Sequence, residues 1–157
     1  MRMKFEIKLQ AIFWRISPSL AIKLNDKTIE SCNNLVNENI TTISFDADLR
    51  DGDHQLIIER MNKSNTDTVV KDSKIVKDST IDIVDVIIDE ISVNALIDNA
   101  NFFPKYPEPW FSQQKQMGEE PPASYNYCRT LHHNGEWKLN FATPVHIWFF
   151  QNLNVQI

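Results

Sequence analysis

The chain has 157 residues, 24% of them charged and 42% hydrophobic, with a formal net charge of −5; this fits one domain able to bury a core without staples. Its lysines and arginines are scattered rather than gathered into a stripe, which excludes a basic nucleic-acid-binding surface. The two cysteines, Cys32 and Cys128, stand outside any Cys-x-x-Cys pattern, excluding a zinc knuckle and a dithiol redox motif and leaving buried free thiols as the expectation.

From Met1 to Trp14, Arg2, Lys4, Glu6 and Lys8 interrupt the apolar residues, so no signal-peptide core is expected there. No run reaches membrane-spanning length, and no membrane partner is expected. Phe5, Ile7 and Leu9 alternate with polar residues, the period-2 pattern of a half-buried strand, which Ile12, Phe13 and Trp14 prolong. After a turn at Ser17-Pro18, Leu20, Ile22 and Leu24 predict a second strand that ends at Asn25-Asp26. Glu30 to Asn39 reads as a surface connection anchored by Cys32, Leu35 and Val36. Ile43 to Ile58 reads as a β-hairpin whose two-residue Asp51-Gly52 loop favours a type I′ turn. That register sets Leu49 opposite His54, Ala47 opposite Leu56 and Phe45 opposite Ile58, with Asp46, Asp48, Gln55 and Ile57 on the other face.

Two short strands, Thr68 to Lys71 and Lys74 to Lys77, flank a turn at Asp72-Ser73. In Thr80 to Val93, Ile81 and Ile83 lie on one parity and Val86 and Ile88 on the other. A β-bulge near Val84-Asp85 reconciles them. Asn94 to Asn101 allows a short helical turn. Phe102 to Phe111 then interleaves prolines with aromatics, predicting an extended path across a surface that does not join a central strand. Pro109 is placed to open a brief helix that Gly118 closes. Tyr127 to Phe141 reads as a second hairpin turning at Asn134-Gly135, with His132 opposite Trp137. Val145 to Phe150 reads as a last strand covered on both faces. The whole is an all-β, antiparallel β-sandwich, jelly-roll or immunoglobulin-like, with an aromatic and proline-rich C-terminal extension. It forms one domain over 1–157, with 98–126 as a long loop or lid packed on the sandwich or on a neighbour.

Chemistry-bearing groups are sparse. Asp46, Asp48, Asp51 and Asp53 form the densest acidic group, of the oxygen-rich kind that holds calcium, although strand alternation alone accounts for Asp46 and Asp48. His54, His132, His133 and His146 do not predict zinc, since adjacent histidines on a strand face opposite ways. There is no Gly-x-Ser-x-Gly elbow, Cys128 near His132 lacks a catalytic signature, and Asp89-Glu90 on a strand alternates faces. No enzyme and no cofactor are expected. Phe102, Phe103, Tyr106, Trp110, Phe111 and Tyr125 are the candidate partner-binding residues, because exposed aromatics offer large apolar area and a polar edge; the alternative is that they cap the open end of the sandwich.

Two resemblances attach to these residues. Gly52-Asp-His54-Gln-Leu56-Ile-Ile58-Glu, followed by Asn62-Lys63, Asp67-Thr68 and Ile81-Asp-Ile83, resembles the β-sandwich of calcium-dependent carbohydrate-binding modules over about the middle third. Phe103-Pro104-Lys-Tyr106-Pro107, leading to Asn134-Gly135-Glu-Trp137-Lys-Leu139-Asn-Phe141, is similar to small structural proteins of T4-like tailed bacteriophages. The second implies a non-enzymatic virion component of head, neck or tail, in an oligomeric assembly with other virion proteins, assembled in the host cytoplasm. That is the leading expectation. The first implies the alternative, in which Tyr106, Trp110 or Tyr125 stacks on a glycan and the Asp46 to Asp53 group holds calcium.

Overall fold

A computed structural model describes residues 1–153. In chain order these form β1 (Arg2–Ile12), β2 (Ser19–Leu24), β3 (Lys27–Cys32), β4 (Ile40–Asp48), β5 (Gly52–Met61), β6 (Val69–Lys71), β7 (Lys74–Lys77), β8 (Thr80–Ile88), β9 (Ile91–Ser92) and β10 (Asn101–Lys105). Helix α1 (Trp110–Gln116), β11 (Tyr125–Asn126), β12 (Thr130–Leu131), β13 (Asn134–Thr143) and helix α2 (Val145–Leu153) follow. One sheet has the order β12-β8-β1-β4 with β9 on β8, the other the order β11-β10-β13-β5-β2-β3, and β6 pairs with β7 alone. Every pairing is antiparallel. The expected β-sandwich is therefore the observed fold.

Alternation builds its core. Met3, Phe5, Ile7, Leu9 and Ala11 of β1 are buried from one side, and Leu20, Ile22, Leu56, Ile58, Trp137, Leu139 and Phe141 from the other. Each such side chain contributes about 1.5–3 kcal/mol on burial. Phe5 stacks on Phe45 with ring centroids 5.0 Å apart, and meets Phe141 of the facing sheet edge-on at 6.0 Å. The bulge in β8 is real. Lys8 faces Asp85 and Leu9 faces Ile83, so Val84 is the extra residue, and Ile81, Ile83, Val86 and Ile88 all reach the core.

Several local readings are corrected. Ile43 to Ile58 is not a hairpin: β4 pairs with β1, whereas β5 lies between β13 and β2. Phe45 faces Phe5 and Leu56 faces Leu139 and Leu24. The parity was legible, but two strands that bury the same faces satisfy it equally well from opposite sheets. Asn134-Gly135 is likewise no turn, since β12 belongs to the first sheet and β13 to the second. Gly135 (φ +145) lies opposite Pro104, where an added Cβ would collide with the Phe103 carbonyl and sit 2.8 Å from Pro104 Cα. Close approach, not turning, demands this glycine. Finally, Val145 to Phe150 is helical, with Val145, Trp148 and Phe149 at i, i+3 and i+4 against the core and Ile147 and Phe150 exposed. A short run that is apolar on both strand faces also suits a helix.

Lys27 to Cys32, read in part as connection, is strand β3, joined to β2 through Asn25 at φ 55. Among the described residues three hairpins close through two-residue turns, Asn25-Asp26, Asp72-Ser73 and Asp89-Glu90, the last two with positive φ at each residue. Asp89-Glu90 is thus a turn and not part of a strand. Residues 98–126 hold β10, α1 and β11. Phe102 to Lys105 joins the second sheet, with Pro104 beyond the two rungs of β11 and on its open edge.

Candidate functional site

A cleft of about 630 Å³ opens where the ends of β5 and β13 meet the start of α1 and the β6–β7 hairpin. Its walls are Pro107, Pro109, Trp110 and Gln113 on one side, Val70 and Ile75 on the other, and Lys63, Ser64, Asn65, Thr68, Asp78, His132, His133 and Asn134 at the base. Pro109 sets the entry into α1, as expected from its fixed φ, and Gly118 at φ +80 follows the helix.

Tyr106 is the hub of the aromatic wall. Its ring stacks on Phe111 at 5.3 Å, lies 5.5 Å from Trp110 and meets His133 edge-on at 5.1 Å. Its hydroxyl donates to the Pro122 carbonyl at 2.6 Å and lies 3.1 Å from the Tyr125 hydroxyl. Burial, with that Tyr125 contact, pushes the phenol above its ordinary range. Tyr106 therefore props the wall, and Trp110, 37% exposed, presents the ring surface. Lys115 caps the Phe111 face from 4.3 Å.

The base is polar and ordered by Asp78. Its Oδ1 accepts from Lys63 Nζ at 2.8 Å, Thr68 Oγ1 at 2.7 Å and the Ser79 amide at 2.8 Å. Among the described residues Oδ2 has no such donor. Burial alone would raise the Asp78 pKa, but those three hydrogen bonds outweigh it and hold the carboxyl below its ordinary value. Burial lowers the Lys63 pKa against the pull of Asp78, and burial with the nearby Lys63 charge lowers that of His133. The Asn134 amide exchanges two hydrogen bonds with the Lys63 backbone, at 2.9 and 3.0 Å. Behind the base, buried Arg60 of β5 donates to Ser79 O and Leu131 O, both at 2.7 Å, and to Ser79 Oγ at 2.6 Å. Desolvation pushes its pKa down to about 10. The two sheets are thereby fastened together under the cleft.

Of the aromatic candidates, Tyr106, Trp110, Phe111 and Tyr125 gather here. Phe102 does not: it is 1% exposed, facing Trp137 in the core. Phe103 lies on the outer sheet face under Lys138, 5.1 Å from its ring. The aspartate group does not assemble. Asp46 pairs with Arg2 at 3.1 Å and Asp48 with the amino terminus at 2.8 Å. No group of three or more His, Cys, Asp or Glu among the described residues is arranged to hold a metal ion. Cys128 and Cys32 are half-buried and free, and burial raises the Cys128 thiol pKa. Lys63, Thr68, Asp78 and Gln113 were missed, because residues up to 71 positions apart meet only through the sheet topology.

No family model matches the chain. No curated protein matches it significantly. Among solved structures it is similar to vCBM60 in a selenomethionine form, described with two circularly permuted families of calcium-dependent carbohydrate-binding modules; the TM-score is 0.53 and the identity 7%, over 87% of this chain and 88% of that one. It is also similar to vCBM60 in complex with galactobiose, with a TM-score of 0.51 and 7% identity over 86% of this chain and 95% of that one. The fold is that of a carbohydrate-binding-module sandwich. These neighbours overturn the expectation of a virion component with virion partners: the likeness that survives is the one carried by the sandwich strands, and no match ties the chain to a phage particle.

Proposed function

We propose that the chain is a non-catalytic carbohydrate-binding module that takes its glycan in the Trp110 cleft. The observation that carries this reading is the exposed Trp110 ring beside a fixed carboxylate with a free oxygen on Asp78. A sugar ring has an apolar face suited to an indole and a rim of hydroxyls suited to carboxylate and amide acceptors. Gln113, Ser64 and His133 supply further donors and acceptors around the same space. The fold neighbours support the ligand class.

Calcium is assigned no role, because the donor set does not fit it. The acidic side chains near Asp51 are divided between strands of the two sheets and two of them are matched to cations, so the polar recognition falls to Asp78. Catalysis is not part of the reading either: burial raises the Cys128 thiol pKa, which disfavours the thiolate that a nucleophile needs.

Titration calorimetry with a panel of neutral disaccharides, galactobiose first, tests the proposal. Trp110→Ala should weaken binding about five- to thirtyfold while leaving the circular dichroism spectrum intact, since loss of a stacking ring costs on the order of 1–2 kcal/mol. Adding a chelator should leave the affinity unchanged. Unaltered affinity in the folded variant would sink this assignment of the cleft.

A further inference from the structure

At the opposite end of the β5–β13 pair lies a shallower cleft of about 510 Å³, lined by Asn25, Gln55, Asn140 and Trp148 with Asp53 and His54. We propose that it is a second glycan subsite, selective for neutral sugars. The ligand class rests on the reading above, but the location and selectivity rest on this cleft alone.

The side-chain amides are fixed by hydrogen bonds and leave specific atoms unspent. Gln55 Nε2 donates to Asn140 Oδ1 at 2.9 Å, which leaves Gln55 Oε1 as acceptor and Asn140 Nδ2 as donor. Asn25 Oδ1 accepts from the Gln55 backbone N–H at 3.0 Å, and Asn25 Nδ2 approaches His54 Nδ1 at 3.3 Å. His54 Nε2 lies 2.6 Å from the Arg50 carbonyl, so Nε2 carries the proton and Nδ1 accepts from Asn25. The cleft thus offers oriented donors and acceptors side by side, the complement of hydroxyl groups, which both donate and accept. Trp148, held edge-on to Phe141 at 6.3 Å, forms the apolar wall.

Other ligand classes fit poorly. The lining holds no lysine or arginine for an anion and one carboxylate for a cation, and an apolar ligand would strip water from amides without replacing their hydrogen bonds. Gln55 and Asn140 are opposite one another in the β5–β13 ladder, whose far end reaches Arg60 and Gly135 just short of Lys63 and Asn134. Counted along β5 from Gln55 to Lys63, the two clefts are separated by roughly 25 Å. A polysaccharide that engages both would gain avidity without any further contact.

Proton–nitrogen correlation spectra of the full chain, titrated with galactobiose, cellobiose, xylobiose and a uronic-acid disaccharide, test the proposal. The side-chain amides of Gln55 and Asn140 and the Trp148 indole should shift together with at least one neutral disaccharide, and should still do so in Trp110→Ala. Gln55→Ala should weaken that response roughly two- to tenfold without altering shifts at the Trp110 indole. Shifts at Trp110 with none at Trp148 overturn the second subsite and leave the first standing. Shifts at Trp148 alone overturn the first and support the second, and silence at both with every sugar overturns both. A stronger response at Gln55 to the uronic-acid disaccharide overturns the neutral selectivity.

Discussion

Asp78 spends one oxygen on the protein and keeps the other for the cleft. Because its folded pKa lies below the ordinary carboxylate value, it contributes stability that is fully present above that range and is lost as the pH falls through it and below. Wild-type stability should therefore decline as acid is added below about pH 4, and Asp78→Asn should flatten part of that slope. At neutral pH the variant should cost about 1–3 kcal/mol, because half-buried Lys63 loses its carboxylate. Urea titrations at a series of pH values measure both effects, and an unchanged acid slope would contradict this account of Asp78. Little of this residue could be read in advance. Asp78-Ser79 looks like an ordinary turn, and only the path of the chain brings Lys63 and Thr68 to one of its oxygens.

Among the elements, β8 shows what alternation does and does not reveal. Its reversal of parity announces the bulge at Val84, and the register confirms it. Deleting Val84 would remove the extra residue and turn either Ile81 and Ile83 or Val86 and Ile88 away from the core. The cost should be at least about 3 kcal/mol, from two exposed side chains at about 1.5 kcal/mol or more each. A lowered urea midpoint with an unchanged slope is the expected signature. Which sheet a strand joins is another matter. Asp72-Ser73 and Asp51-Gly52 both sit between period-2 runs, yet the first closes a hairpin and the second carries the chain from one sheet to the other. Thr143 Oγ1 steadies that crossing by donating to the Arg50 carbonyl at 2.7 Å, a contact more than ninety residues away in sequence. Local turn chemistry cannot encode it. The brief helix at Pro109 was legible because proline and glycine mark its ends, whereas α2 carries no such contrast between its faces.

At the scale of the molecule, the second sheet works as a frame with a cleft at each end of its β5–β13 pair. Arg60 fastens the first sheet to it beneath the Trp110 cleft, through hydrogen bonds to the lead-in of β8 and to β12. The outer face between the clefts is a mesh of opposite charges. Lys23 meets Glu59 at 2.9 Å and Glu136 at 3.7 Å, and Lys105 meets Glu59 at 3.4 Å. Such partly exposed pairs add little stability individually, but they keep a broad sheet face charged and wet.

The β6–β7 hairpin pairs with neither large sheet, and a lone two-stranded ribbon is marginal in water. Its backbone amides should therefore exchange with solvent deuterium far sooner than those of β5 or β1, each flanked by a strand on both sides. Val70 and Ile75 of that ribbon wall the Trp110 cleft. A bound sugar should slow their exchange and leave the centre of the sandwich unchanged, making the hairpin a clock for occupancy. Mass spectrometry after brief deuteration, with and without galactobiose, reads it; equal uptake in the two samples at a saturating sugar concentration would show that the ribbon does not touch the ligand.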